Sequence, residues 1–188
     1  MKKALLIIDV QKDFLDGGKL GVNGSIKMLN DLPRFIEDTK NDYEFTVATV
    51  DWHPITHCSF DVNGGMWPAH CIQHSEGAAI YEPVLNAINE HSKFSIILTK
   101  GTDENREEYS IFKNEDSCKK LVDLINKFEI EEIDVVGIAL SYCVLDTIKD
   151  GKRNLPGISI RLIKDFCPDI GDSTEALKWL ENNNVEIV

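Results

Sequence analysis

No apolar run in the chain approaches the roughly 20 residues needed to cross a bilayer, so a membrane partner is not expected. Basic residues are in deficit: the formal net charge is −12, and affinity for phosphate backbones comes largely from Lys and Arg. That excludes nucleic acid as a natural partner and otherwise means only solubility. Cysteine is scarce and odd in number, five in all with no framework spacing. Free thiols of that kind suit a reducing compartment, so a cytoplasmic location is expected. Repeats, low-complexity tracts and linker-like stretches are also missing, and 188 residues suit one domain, 1–188, with one sizeable core. The opening Met1-Lys2-Lys3 is charged and then apolar, as a signal sequence would be. Its apolar stretch is short and runs into Asp9, so it reads as a first strand.

What is present alternates strand and helix. Strands are expected at 4–9, 45–50, 94–99, 133–138 and 158–163, with a last short one at 185–188. Ile26, Leu29, Leu32, Phe35 and Ile36 recur at helical spacing over 25–40, where Pro33 marks a kink or a break. Further helices are expected at 83–91, at 115–128, from near Cys143, and from an Asp172 or Ser173 cap through Leu180. The alternation predicts an α/β fold of three layers, a mostly parallel sheet between helices. Residues 51–82 form a long connection whose Trp52, Phe60, Met66 and Trp67 are too apolar for disorder, which makes it a functional loop.

Four strand-like runs each stop on a residue that can do chemistry: Asp9, Asp51, Lys100 and, after a short turn, Cys143. Ligands of open α/β sheets bind outside the carboxyl ends of the strands. Any one of these residues alone has an ordinary explanation, a turn cap for Asp9 or a small core filler for Cys143. Together, Asp9, Lys100 and Cys143 at the ends of adjacent strands about 4.8 Å apart form an acid–cation–thiol cluster. A thiol opening a helix also meets the positive end of its dipole, which predicts a thiolate at Cys143. Cys58, Cys71, Cys118 and Cys167 are expected to be buried filler.

A separate cluster lies in the long connection. Asp51-Trp52-His53 places two metal-type ligands on alternate residues of an extended strand end, and His70 on the returning loop can complete the set. His57 is either a further ligand or a supporting group. His74 and His91 read as surface residues.

These residues resemble the nicotinamidase branch of the isochorismatase-like cysteine hydrolases. The matching segments are LLIIDVQKDF (5–14), DWHPITHCSF (51–60), WPAHCIQHSEGA (67–78), KGTDENREEYSIF (100–112) and VVGIALSYCV (135–144), in the family's order. The resemblance implies a triad of Asp9, Lys100 and Cys143, and one divalent metal ion on Asp51, His53 and His70, zinc ahead of manganese or iron. It implies an oxyanion hole at the Ala139 and Cys143 N–H groups beside a cis peptide before Ala139. It also implies an aromatic pocket from Phe14, Leu20, Trp67, Tyr109 and Tyr142, and nicotinamide as the small-molecule substrate. Two segments depart: Leu140-Ser141-Tyr142-Cys143 stands where the family commonly has Thr-Asp-Tyr-Cys, and the connection from Phe60 to Trp67 is short against many members. Two other readings stay open, a hydrolase of another small amide or of isochorismate, and an inactivated binding or assembly module. The sequence is silent on whether the chain forms a homo-oligomer.

Overall fold

The computed structural model describes residues 1–188 as one α/β unit. Six parallel strands, β1 (Lys3–Ile8), β2 (Tyr43–Asp51), β3 (Ser95–Lys100), β4 (Glu132–Gly137), β5 (Ser159–Leu162) and β6 (Glu186–Ile187), lie in the order β3-β2-β1-β4-β5-β6. β1 and β4 are buried along almost their whole length, as central strands covered on both faces must be. The expected strand positions agree with these to within a residue or two.

The 25–40 segment forms two helices, α1 (Ser25–Leu29) and α2 (Leu32–Asp38), with Pro33 in the first turn of α2. Proline lacks an N–H and is tolerated there, but not inside a continuous helix. The remaining helices are α3 (Glu82–His91), α4 (Glu115–Phe128), α5 (Leu145–Asn154) and α6 (Thr174–Asn182). Asn114 caps α4, its side chain accepting from the Ser117 N–H at 3.2 Å. No helix is long and apolar enough to cross a membrane.

The chain steps outward from β1 to β2 to β3, then returns past both to β4 and continues to β6. Right-handed crossovers therefore place α1–α3 on one face and α4–α6 on the other. The direction reverses between β1 and β4, and the crevice beyond their carboxyl ends is where such folds take ligands. Gly137 makes that neighbourhood possible. A Cβ there would come within 2.0 Å of the Ile8 carbonyl oxygen, and its φ of +127° disfavours other residues.

Candidate active site

Asp9 follows β1 directly, and Cys143 lies in a π-helical turn, Leu140–Val144, between β4 and α5. These two flank the reversal point. Lys100 ends β3, two strands from β1, so the triad does not come from adjacent strands as expected. Its four-carbon stem spans the gap. Lys100 Nζ stands 2.8 Å from Asp9 Oδ2, 2.6 Å from Asp51 Oδ1 and 3.4 Å from Cys143 Sγ. Asp51 ends the intervening strand, and the two clusters separated in sequence are one site joined through this ammonium. Asp9 and Lys100 have no exposed surface at all.

Asp9 is held in the left-handed region, φ 48°, which aspartate tolerates better than most residues. The Thr49 hydroxyl donates to its Oδ1 at 2.7 Å. Asp9 Oδ2 is within ion-pair distance of Lys100, yet no donor meets it at hydrogen-bonding angle.

Burial pushes the Cys143 thiol well above its usual range; Lys100 opposes this, while Asp9 and Asp51 reinforce it. Against the thiolate expected from the helix dipole, burial first and the two carboxylates after it favour the thiol. Burial also raises Asp9, against Lys100 and with help from Asp51. Burial would raise Asp51 too, but Lys100 and His53 hold it well below the carboxylate range. Lys100 stays cationic because Asp51 and Asp9 overcome its burial. Two carboxylates thus have two characters: Asp51 permanently charged, Asp9 able to hold a proton.

One ligand atom each from buried Asp51, His53 and His70 lies within 4.8 Å of the others. His53 Nδ1–H donates to the Gly101 carbonyl at 2.9 Å and His70 Nδ1–H to the Pro68 carbonyl at 2.7 Å. Both tautomers leave Nε2 with a free lone pair, the preparation a divalent metal needs, so the residues fit such an ion. His57 does not share it. Its Nδ1 accepts from the Ser59 N–H at 3.2 Å and its Nε2 lies 3.2 Å from the Arg106 carbonyl, with its ring 4.1 Å from that of His53. His57 stands outside that set and packs against the His53 ring. Gln11, which the sequence did not single out, grips the Asp51 backbone, Oε1 accepting its N–H at 2.7 Å and Nε2 donating to its carbonyl at 2.8 Å.

Gly101 carries a prediction. Its φ is +64°, and a Cβ would sit 2.3 Å from the His53 ring. Gly101→Ala should displace that imidazole, lowering bound divalent metal about tenfold or more. Metal content per chain after dialysis checks it, and a variant loading as fully as the parent would contradict the clash.

A small cavity opens beside the sulfur. Phe14, Leu20, Trp67, Tyr109 and Tyr142, the five expected pocket residues, all line it with Ala139, Asp51 and His70. Trp67 Nε1–H donates to the Tyr109 hydroxyl at 2.9 Å, and Tyr142 meets both rings edge-on at 5.3 and 5.8 Å. The Ile138–Ala139 peptide is cis, and the Ala139 N–H has no acceptor in the protein.

Two further wall residues, Glu107 and Ile170, escaped sequence reasoning. Glu107 sits in a charged run that reads as solvated surface, and Ile170 in a loop with no periodicity to place it. Among the other cysteines, Cys71 and Cys167 are buried, while Cys58 and Cys118 are only partly so, a correction to the filler reading. His74 is exposed, but His91 is half-buried at the end of α3.

A buried acid–cation–thiol set at the reversal point of a parallel sheet, opening on an aromatic cavity, defines a cysteine hydrolase. The chain matches the isochorismatase domain family over residues 3–187 and belongs to that family. It is 32% identical over 192 residues to the nicotinamidase/pyrazinamidase of Mycobacterium tuberculosis (strain ATCC 25618 / H37Rv), covering 99% of this chain and 98% of that protein. A crystal structure of the pyrazinamidase of Pyrococcus horikoshii in complex with zinc superposes with a TM-score of 0.85 at 30% identity, covering 99% and 98% of the two chains. PnC1 from L. infantum, crystallised with nicotinate, also gives 0.85, at 29% identity over 100% and 92%.

Proposed function

We propose that this protein is a nicotinamidase, a cysteine amidohydrolase converting nicotinamide to nicotinate and ammonia. The observation that carries this is the single Lys100 ammonium touching Asp9, Asp51 and the Cys143 sulfur beside an aromatic cavity. Flat aromatic walls suit a pyridine ring, and the relatives act on or bind such rings.

In this reading Cys143 Sγ attacks the carboxamide carbon while its proton passes to Asp9. The raised Asp9 carboxyl suits that role, because an efficient base has a pKa near the working pH. The tetrahedral oxyanion is received by the Ala139 and Cys143 N–H groups, each such donor being worth about 3 kcal/mol on the barrier. Asp9 returns its proton to the departing nitrogen; ammonia leaves and a thioester remains. Asp9 then takes a proton from water, whose oxygen attacks the acyl carbon, and nicotinate departs as the thiol is restored. Lys100 keeps the two carboxylates and the sulfur from repelling one another throughout.

Asp51, His53 and His70 would hold a divalent ion, zinc ahead of manganese or iron in view of the zinc-bound relative. When bound, it supplies a Lewis acid beside the pocket that can anchor the ring nitrogen. A cytoplasmic role returning nicotinate to pyridine nucleotide synthesis belongs to the same proposal, and pyrazinamide is a second substrate to test.

Ammonia release from nicotinamide tests it, with metal-loaded and chelator-dialysed protein. Turnover that falls on dialysis and returns with zinc is expected. His70→Ala should retain about a tenth or less of the bound metal and show a raised KM. A loaded enzyme silent on nicotinamide would overturn the assignment and favour a family hydrolase of another amide; full nicotinamide turnover without metal would overturn the metal's role.

A further inference from the structure

The turn that presents the thiol carries serine at position 141, and that serine has a partner far along the chain. Asp169, in the loop after β5, accepts the Ser141 N–H through Oδ1 at 3.0 Å and the Ser141 hydroxyl through Oδ2. The same Oδ1 accepts the Ile170 N–H at 2.9 Å. A fourth bond runs alongside, Leu140 N–H to the Pro168 carbonyl at 3.1 Å. Residues 140 and 141 are thus docked on 168–170, on a turn with π-helical hydrogen bonding, a geometry frequent at functional sites.

The two pieces that Asp169 joins both face the cavity: Ile170 lines it, and so do Ala139 and Cys143 on either side of the docked residues. Hydrogen bonds to a carboxylate are about twice as strong as neutral ones. A charged acceptor shared by two backbone N–H groups and a hydroxyl therefore holds the nucleophile turn and the cavity wall in one register. No side chain within the turn caps it.

We propose that Asp169 is a positioning residue for Cys143. It supplies, from a loop 28 residues beyond Ser141 in sequence, the acid that aims the sulfur at the substrate carbonyl and sets the Ile170 wall against it. This rests on the amidohydrolase reading only for its kinetic readout.

The test combines steady-state hydrolysis of nicotinamide with the rate of iodoacetamide alkylation at Cys143, followed by peptide mass. Asp169→Ala should lower kcat about tenfold to a hundredfold, the size of loss that a small misplacement of reacting groups causes. It should change the Cys143 alkylation rate as well. Asp169→Asn can still accept both N–H groups through Oδ1 and donate from Nδ2 to the serine oxygen, so it should stay within about threefold of the parent. Ser141→Ala removes one bond without disturbing the loop, and should lower kcat by a few-fold with an unchanged melting temperature. Parental kcat and alkylation rates in both alanine variants would overturn the proposal. So would equal impairment of Asp169→Asn and Asp169→Ala in step with lost thermal stability, which marks a purely structural residue. If the parent fails on nicotinamide, the alkylation rates still decide the question.

Discussion

Cys143→Ala is expected to abolish hydrolysis while leaving the protein folded. The sulfur forms the only bond to substrate in the proposed sequence of steps, and neither Asp9 nor Lys100 can replace it as a nucleophile: Asp9 is needed for the proton and Lys100 is a buried cation. Removing a nucleophile from such a unit costs about four to six orders of magnitude in kcat. Stability should move far less, because the substitution removes one atom from a side chain that already borders a cavity. Single-turnover ammonia release and thermal unfolding measured together would check both halves. Hydrolysis within tenfold of the parent would end the covalent mechanism.

Lys100→Met should be the most damaging substitution for the fold. Methionine keeps most of the stem's volume but takes from Asp9 and Asp51 the ammonium they share, one being wholly buried and the other 4% exposed. Stripping the partner from a buried ion pair costs about 3–5 kcal/mol, or roughly 10 °C in melting temperature for a chain of this length. The penalty has a definite pH dependence. Without the ammonium, burial and Asp51 raise the Asp9 carboxyl unopposed above its unfolded value, so the folded state is penalised where Asp9 must ionise. As pH falls through that raised value Asp9 protonates and the penalty fades. The deficit against the parent should therefore be largest near neutrality and shrink on acidification to about pH 5. Adding Asp9→Asn should recover part of it, since one charge then disappears. Denaturant unfolding at the two pH values measures this. A variant within 1 kcal/mol of the parent near neutrality, on the scale where exposed pairs fall, would mean that the ammonium is not the centre of the cluster.

Much of this site was readable along the chain because the chemistry coincides with strand ends. A buried parallel strand is a run of apolar residues, so the polar residue that stops it stands out, and Asp9, Asp51 and Lys100 are marked by contrast alone. Asp51 and His53 were legible as a pair for a similar reason, since alternate residues of an extended segment share a side. Glu107, Gln11 and Asp169 carry no such contrast. Each is a polar residue in a polar stretch, and its partner lies at a distance fixed only when the chain has closed.

By itself, then, the order of residues determined the α/β alternation, the strand ends and the identity of the reactive groups, because hydrophobic period and side-chain chemistry are local properties. Tertiary structure alone decided that Lys100 reaches two strands across to Asp9, that Asp51 shares that ammonium, and that His57 spends both ring nitrogens elsewhere. It also set the direction in which the Cys143 thiol is shifted. A helix dipole can be inferred from neighbours in sequence, but burial and two carboxylates brought in from other strands cannot, and at this distance and dielectric they outweigh it.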